Sequence, residues 1–220
     1  MDILKPLFAS TIFTLGLAQS ADAFIITTYT DRSLWEAAVS GNVIIEDFNS
    51  ITSDTDLSVD VGDFSISAVG PWAHQNGIEA YDPSPSSFQQ DRNIDGTTYY
   101  QGDTDQGTTY TFSFDFGISA FAFDHTSLGS EGAGEFLTLD LEGVNYSIPS
   151  TQTGETGFFG IVNSDTELFT SVTFLGDDGA HGLDNISYTA SSPTEVPEPG
   201  SLSILGLGIV GLVVSHKKKA

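Results

Sequence analysis

The stretch Tyr110, Phe112, Phe114 and Phe116, alternating with Thr111, Ser113 and Asp115, constrains the fold more than any other part of the chain. Aromatic rings at every second position commit one face of an extended strand to a core and leave the other to water, a period no helix can use. Gly117 is expected to turn the chain, and Ile118 to Phe123, apolar on both faces, then reads as a central strand covered on both sides. Further strands are expected at Phe24 to Tyr29, Val43 to Phe48, Phe64 to Ala68, Phe136 to Leu141, Val144 to Ile148, Phe158 to Val162, Ser171 to Leu175 and Leu183 to Tyr188, with Glu142-Gly143 as a hairpin turn. Helical spacing occurs once, over 30–39, where Ser33 and Glu36 stand at capping-box distance and Leu34, Ala37 and Ala38 share a face. Roughly eight to ten short strands separated by Gly and Asp turns argue for an all-β fold, a two-sheet antiparallel β-sandwich, with the jelly roll as the preferred topology.

The ends belong to another process. Lys5, an apolar run from Leu7 to Ala18 and the triplet Ala21-Asp22-Ala23 have the layout of a signal peptide over 1–23, cut by signal peptidase before Phe24. A retained N-terminal anchor is the rival reading, and the short apolar run disfavours it. At the other end, Val196-Pro197-Glu198-Pro199 precedes an apolar run from Leu202 to Val214 and then Lys217-Lys218-Lys219. Such a run reads as a transmembrane helix whose lysines stay in the cytoplasm, although it is shorter than most spans. The division is therefore 1–23 signal peptide, 24–190 β-sandwich, 191–195 polar linker and 196–220 terminal anchor.

Between the ends, twenty-six carboxylates face only Arg32 and Arg92, so nearly all of the net charge of -24 lies in the displayed domain. A field of that sign repels nucleic acid and attracts cations. With no cysteine, thiol catalysis, thiolate metal sites and disulfides are excluded.

Two places could carry chemistry. Asp184 is expected on the face of Ile186 and Tyr188, toward the core, where a carboxylate needs a partner. Asp47, Asn49 and Asp178 are nearby sources of oxygen, which suits a hard cation such as structural Ca²⁺; the alternative is a carboxylate satisfied by main-chain hydrogen bonds in a turn or bulge. The second place is the long polar segment from Gly70 to Gly107, where Trp72, Tyr81, Tyr99 and Tyr100 lie among amides and carboxylates. Such rings either stack on a sugar or anchor the loop to the sheet. No paired-histidine or nucleophile spacing is present, so an enzyme is not expected, and a polysaccharide hydrolase is the minor alternative.

Val196-Pro197-Glu198-Pro199, the Leu202 to Val214 run and Lys217 to Lys219 together resemble the PEP-CTERM sorting signal of exported bacterial proteins. The resemblance implies a transient hold in the inner membrane of a Gram-negative cell and cleavage at the motif by an exosortase-type transpeptidase. It also implies a surface or matrix destination associated with exopolysaccharide and biofilm. The segments Phe169 to Phe174 and Gly182 to Ile186 are loosely similar to the closing strands of calcium-bearing carbohydrate-binding jelly rolls. That likeness implies a shared ion between the last strand and an early one, and leaves open whether the domain binds carbohydrate or is a purely structural acidic matrix protein cross-bridged by divalent cations.

Overall fold

The computed structural model describes residues 25–52, 56–82, 91–128, 136–165 and 167–190. The expected signal peptide, linker and C-terminal anchor lie outside them. Among the described residues no helix is long and apolar enough to cross a membrane.

Twelve strands and one α-helix are present among the described residues: β1 Ile26–Tyr29, α1 Arg32–Ala38, β2 Val43–Glu46, β3 Ser58–Asp60, β4 Phe64–Val69, β5 Gly77–Glu79, β6 Tyr99–Gly102, β7 Thr109–Thr126, β8 Phe136–Leu141, β9 Val144–Ile148, β10 Thr156–Asn163, β11 Phe169–Asp177 and β12 His181–Ala190. Their pairings are all antiparallel. Gly117 does not turn the chain: β7 runs unbroken for 18 residues and belongs to both layers. Its first half pairs with β4 and β11, giving the layer β3-β4-β7-β11-β8-β9. Its second half pairs with β10 and β12, giving β1-β10-β7-β12, with β2 and β6 sharing the far edge of β12 and β5 outside β6.

A strand that passes from one layer to the other must reverse which side chains face inward. Tyr110, Phe112 and Phe114 are buried in the first half, and Phe121 and Phe123 take over in the second. Gly117 is explained by packing, since a Cβ there would stand 2.7 Å from the Leu168 Cβ. Ring contacts between Phe112 and Phe121 at 5.7 Å, Phe123 and Phe174 at 5.2 Å, and Phe114 and Tyr188 at 5.1 Å join the layers into one core.

The outer face of the second layer is covered by α1, whose Trp35 packs on Ala120 and Ala122 and donates its indole N–H to the Ile161 carbonyl at 3.0 Å. Two helical expectations are corrected. The cap is Asp31, whose Oδ1 accepts the Leu34 N–H at 2.9 Å, and the buried residue is Trp35, while Leu34 is 64% exposed. The hairpin at Glu142-Gly143 is as expected, both residues having the positive φ, 52° and 83°, of a type I′ turn. The segment from Gly70 to Gly107, read from sequence as loop, carries β5, β6 and two short 3₁₀ turns, Ala73–Gln75 and Asp105–Gly107.

Candidate functional site

The last strand changes partners halfway along one edge. His181 to Leu183 pair with Gly102 to Tyr100 of β6, and Ile186 to Thr189 pair with Glu46 to Val43 of β2. On the other edge β12 stays with β7, and its register slips between Asp184 and Ser187. Asn185 fills the slip with φ 50°, a left-handed conformation asparagine tolerates better than most residues.

The bulge overturns one expectation about direction. Asp184 pairs across to Asp124 and Ser187 to Ala122, so Asp184 shares the α1 side of the sheet rather than the core face of Ile186 and Tyr188. It is nevertheless fully buried. Its Oδ1 accepts the Asn185 N–H at 2.6 Å, while Oδ2 is buried with no hydrogen-bond partner among the described residues. Burial pushes this carboxyl up to about 7; the Asn185 N–H opposes the rise, and the charges of Asp95, Asp124 and Asp47 add to it.

Those neighbours belong to the residue after β2, the segment leading into β6, and β7 beside the bulge. Asp124 is held by Arg32, Nη2 to Oδ1 at 2.9 Å, and by the Asn185 amide N–H at 3.0 Å. Asp47 Oδ1 accepts the Asn49 N–H at 3.1 Å, and Asn49 Oδ1 accepts the Thr98 N–H at 3.3 Å. Asp95 Oδ1 accepts the Thr97 N–H at 3.0 Å. Asp47 stands near enough for its charge to act on Asp184, and Asn49 reaches Thr98 at the exit of the segment before β6. Asp178 is not among them: its Oδ2 lies 2.8 Å from His181 Nδ1, and His181 Nε2 is 2.7 Å from the Tyr110 hydroxyl, all buried. That chain ties the turn before β12 to β7 and leaves Asp178 facing an imidazole. Asp95, Asp124, Asn185 and Arg32 were missed. The alternating oxygen-bearing residues of Asp91-Arg92-Asn93-Ile94-Asp95-Gly96 are the signal that would have found Asp95.

The four rings of the long segment do not form one platform. Tyr100 is buried in the core against Tyr110 and Phe112, and Tyr99 is buried as well, its hydroxyl pushed upward in pKa by burial. Trp72 and Tyr81 are half-buried, Trp72 lying 5.7 Å from the His74 ring. Among the described residues no group of three or more His, Asp or Glu side chains stands in position to hold a metal ion.

Residues 195–219 match the PEP-CTERM protein-sorting motif, so the chain carries that sorting signal. No curated protein matches the sequence. Among solved structures, a variant of CBM29-2, a family 29 carbohydrate-binding module, is similar at 10% identity over 75% of this chain and 96% of that one, with a TM-score of 0.39. The family 11 carbohydrate-binding module from Clostridium thermocellum is similar at 13% identity over 70% and 98%, with a TM-score of 0.34. The catalytic unit of a GH87 α-1,3-glucanase from Streptomyces thermodiastaticus is similar at 13% identity, over 71% of this chain and 28% of that one, with a TM-score of 0.35. None is similar enough for its ligand or activity to pass to this chain.

Proposed function

We propose that the chain is an exported protein of a Gram-negative bacterium, held at the inner membrane by its C-terminus and released by an exosortase-type transpeptidase to the surface or matrix. The observation that carries this reading is the sorting motif over 195–219. The -24 charge, concentrated in the domain ahead of it, supports a life among divalent cations rather than beside nucleic acid. In that setting the domain has a binding or structural role and not a catalytic one. Envelope fractionation in the native host tests the route: Glu198→Gln, which keeps size and removes charge, should slow processing and raise the membrane-bound fraction. Identical fractionation of variant and wild type would remove the basis of the reading.

The finer part of the proposal is contact with neutral exopolysaccharide. With Tyr99 and Tyr100 buried, we assign this contact to the outer face of the first layer. One row of paired residues there runs Ser58, Ser67, Thr111, Thr173, Asp140 and Asn145 across six strands, about 24 Å at ordinary strand spacing. Hydroxyls both donate and accept, as a sugar's do, and Lys, Arg and Glu are absent from the row. Replacing Thr111 and Thr173 together by Val should abolish retardation in native gels containing a neutral glucan. Equal retardation of both proteins would sink the assignment to this face, and no retardation of either would leave an acidic matrix protein cross-bridged by divalent cations as the better account.

A further inference from the structure

The segment Asp91-Arg92-Asn93-Ile94-Asp95-Gly96 has the spacing Asp-x-Asn-x-Asp-Gly, with oxygen-bearing side chains at its first, third and fifth positions and glycine at the sixth. A calcium loop uses that arrangement because alternate side chains and the main-chain carbonyl of the seventh position can converge on one hard cation, provided the sixth residue makes a sharp turn. Here Gly96 has φ 88°, and the loop is already wrapped. Asn93 Oδ1 accepts the Gly96 N–H, and its amide nitrogen donates to the carbonyl of Thr97, the seventh position, at 2.5 Å.

In the helical version of such a loop a glutamate at the twelfth position closes the shell. The twelfth residue here is Gly102, and the chain enters β6 instead of a helix. The register supplies a substitute. Leu183 pairs with Tyr100, so Asp184 lies one step further along, level with Tyr99 and beside the loop's exit at Thr98. Its Oδ2 is fully buried and unpartnered among the described residues, and Asp95 is the nearest of its charged neighbours in effect.

We infer that residues 91–97 form a calcium-binding loop closed by Asp184 from the last strand in place of the usual terminal glutamate. Asp95, Asn93, the Thr97 carbonyl and Asp184 Oδ2 form the ligand set. A set with two carboxylates and neutral oxygens agrees with the absence of any three-carboxylate cluster among the described residues. Its consequence is mechanical: one ion would join the segment ahead of β6 to the point where β12 exchanges β6 for β2. The inference deepens the cation-binding side of the proposed function and does not depend on the sorting route.

Calcium titration of the full-length protein in mild detergent, followed by calorimetry and by terbium luminescence, tests it. Wild type should bind Ca²⁺ at one site with preference over Mg²⁺. Asp95→Asn and Asp184→Asn should each weaken that binding at least tenfold with far-ultraviolet circular dichroism unchanged, and Asp60→Asn on the opposite layer should not. Equal weakening by all three, or no saturable site in wild type, would overturn the loop while leaving the export reading standing.

Discussion

Replacing Asp184 by Asn should stabilise the cation-free protein at pH 7.5, although it removes a fully buried charged residue. The folded-state carboxyl titrates at about 7, against an ordinary value of 3.8. A group raised on folding contributes its full stability below the unfolded value, and that contribution is lost as pH rises through the folded one. Between pH 3.8 and 7 the loss converts to about 4 kcal/mol at most, at about 1.4 kcal/mol per pH unit, and relaxation around Asp184 brings it to about 2. Asparagine keeps the Oδ1 that accepts the Asn185 N–H and carries no charge. The variant should therefore melt roughly 4 to 8 °C higher in chelator at pH 7.5, converge with wild type near pH 4, and gain nothing from Ca²⁺, which should raise wild type. The quantity to plot is the difference between the two proteins. His125 imposes the opposite slope on each: buried, and with both ring nitrogens unpartnered among the described residues, it is depressed to about 4. A depressed histidine contributes stability above 6.5 that is lost as pH falls toward 4. Thermal melts across pH 4 to 8 with and without chelator decide the matter. An Asn variant that is less stable than wild type in chelator at pH 7.5, or a difference that does not change with pH, would refute the reasoning.

Two further outcomes follow from single contacts. His125→Phe should remove most of the acid sensitivity between pH 6.5 and 4, read as a flatter curve of stability against pH for the variant than for wild type in urea melts, and an unchanged curve would mean that His125 is not the group responsible. Gly102→Ala would place a Cβ 2.5 Å from His181 Nε2 and 2.9 Å from the Tyr110 ring, so it should cost about 1 to 3 kcal/mol in urea unfolding; a neutral result would show that β6 is free to shift.

What the sequence reveals and conceals follows from how far each feature is local. The alternation from Tyr110 to Phe116 and the hairpin at Glu142-Gly143 are legible because period and turn chemistry sit in adjacent residues. The passage of β7 through both layers is not legible, because Gly117 reads as a turn until Leu168 is known to pack against it. β5 and β6 escape notice because strands of three and four residues in a polar segment carry too little pattern, and only the pairing of β6 to β12 and of β5 to β6 makes them strands. The candidate site divides in the same way. Asp184, Asp47 and Asn49 stand out by residue type alone, while the bulge at Asn185 reverses the face of Asp184 and no alternation rule anticipates it. Asp178 was misplaced because its partner, His181, lies three residues on and turns toward Tyr110 only in the folded chain.

Intact mass and terminal sequencing of the mature protein from its native host test the central claim most directly, because one experiment reads both ends of the export route. The account predicts an N-terminus at or near Phe24 and a C-terminus at the Pro197-Glu198-Pro199 motif, with residues beyond it absent from the released form and present when the sorting enzyme is removed. A released protein that retains Met1 to Ala23, or one that keeps Leu202 to Lys219 in cells with an active sorting enzyme, would contradict it.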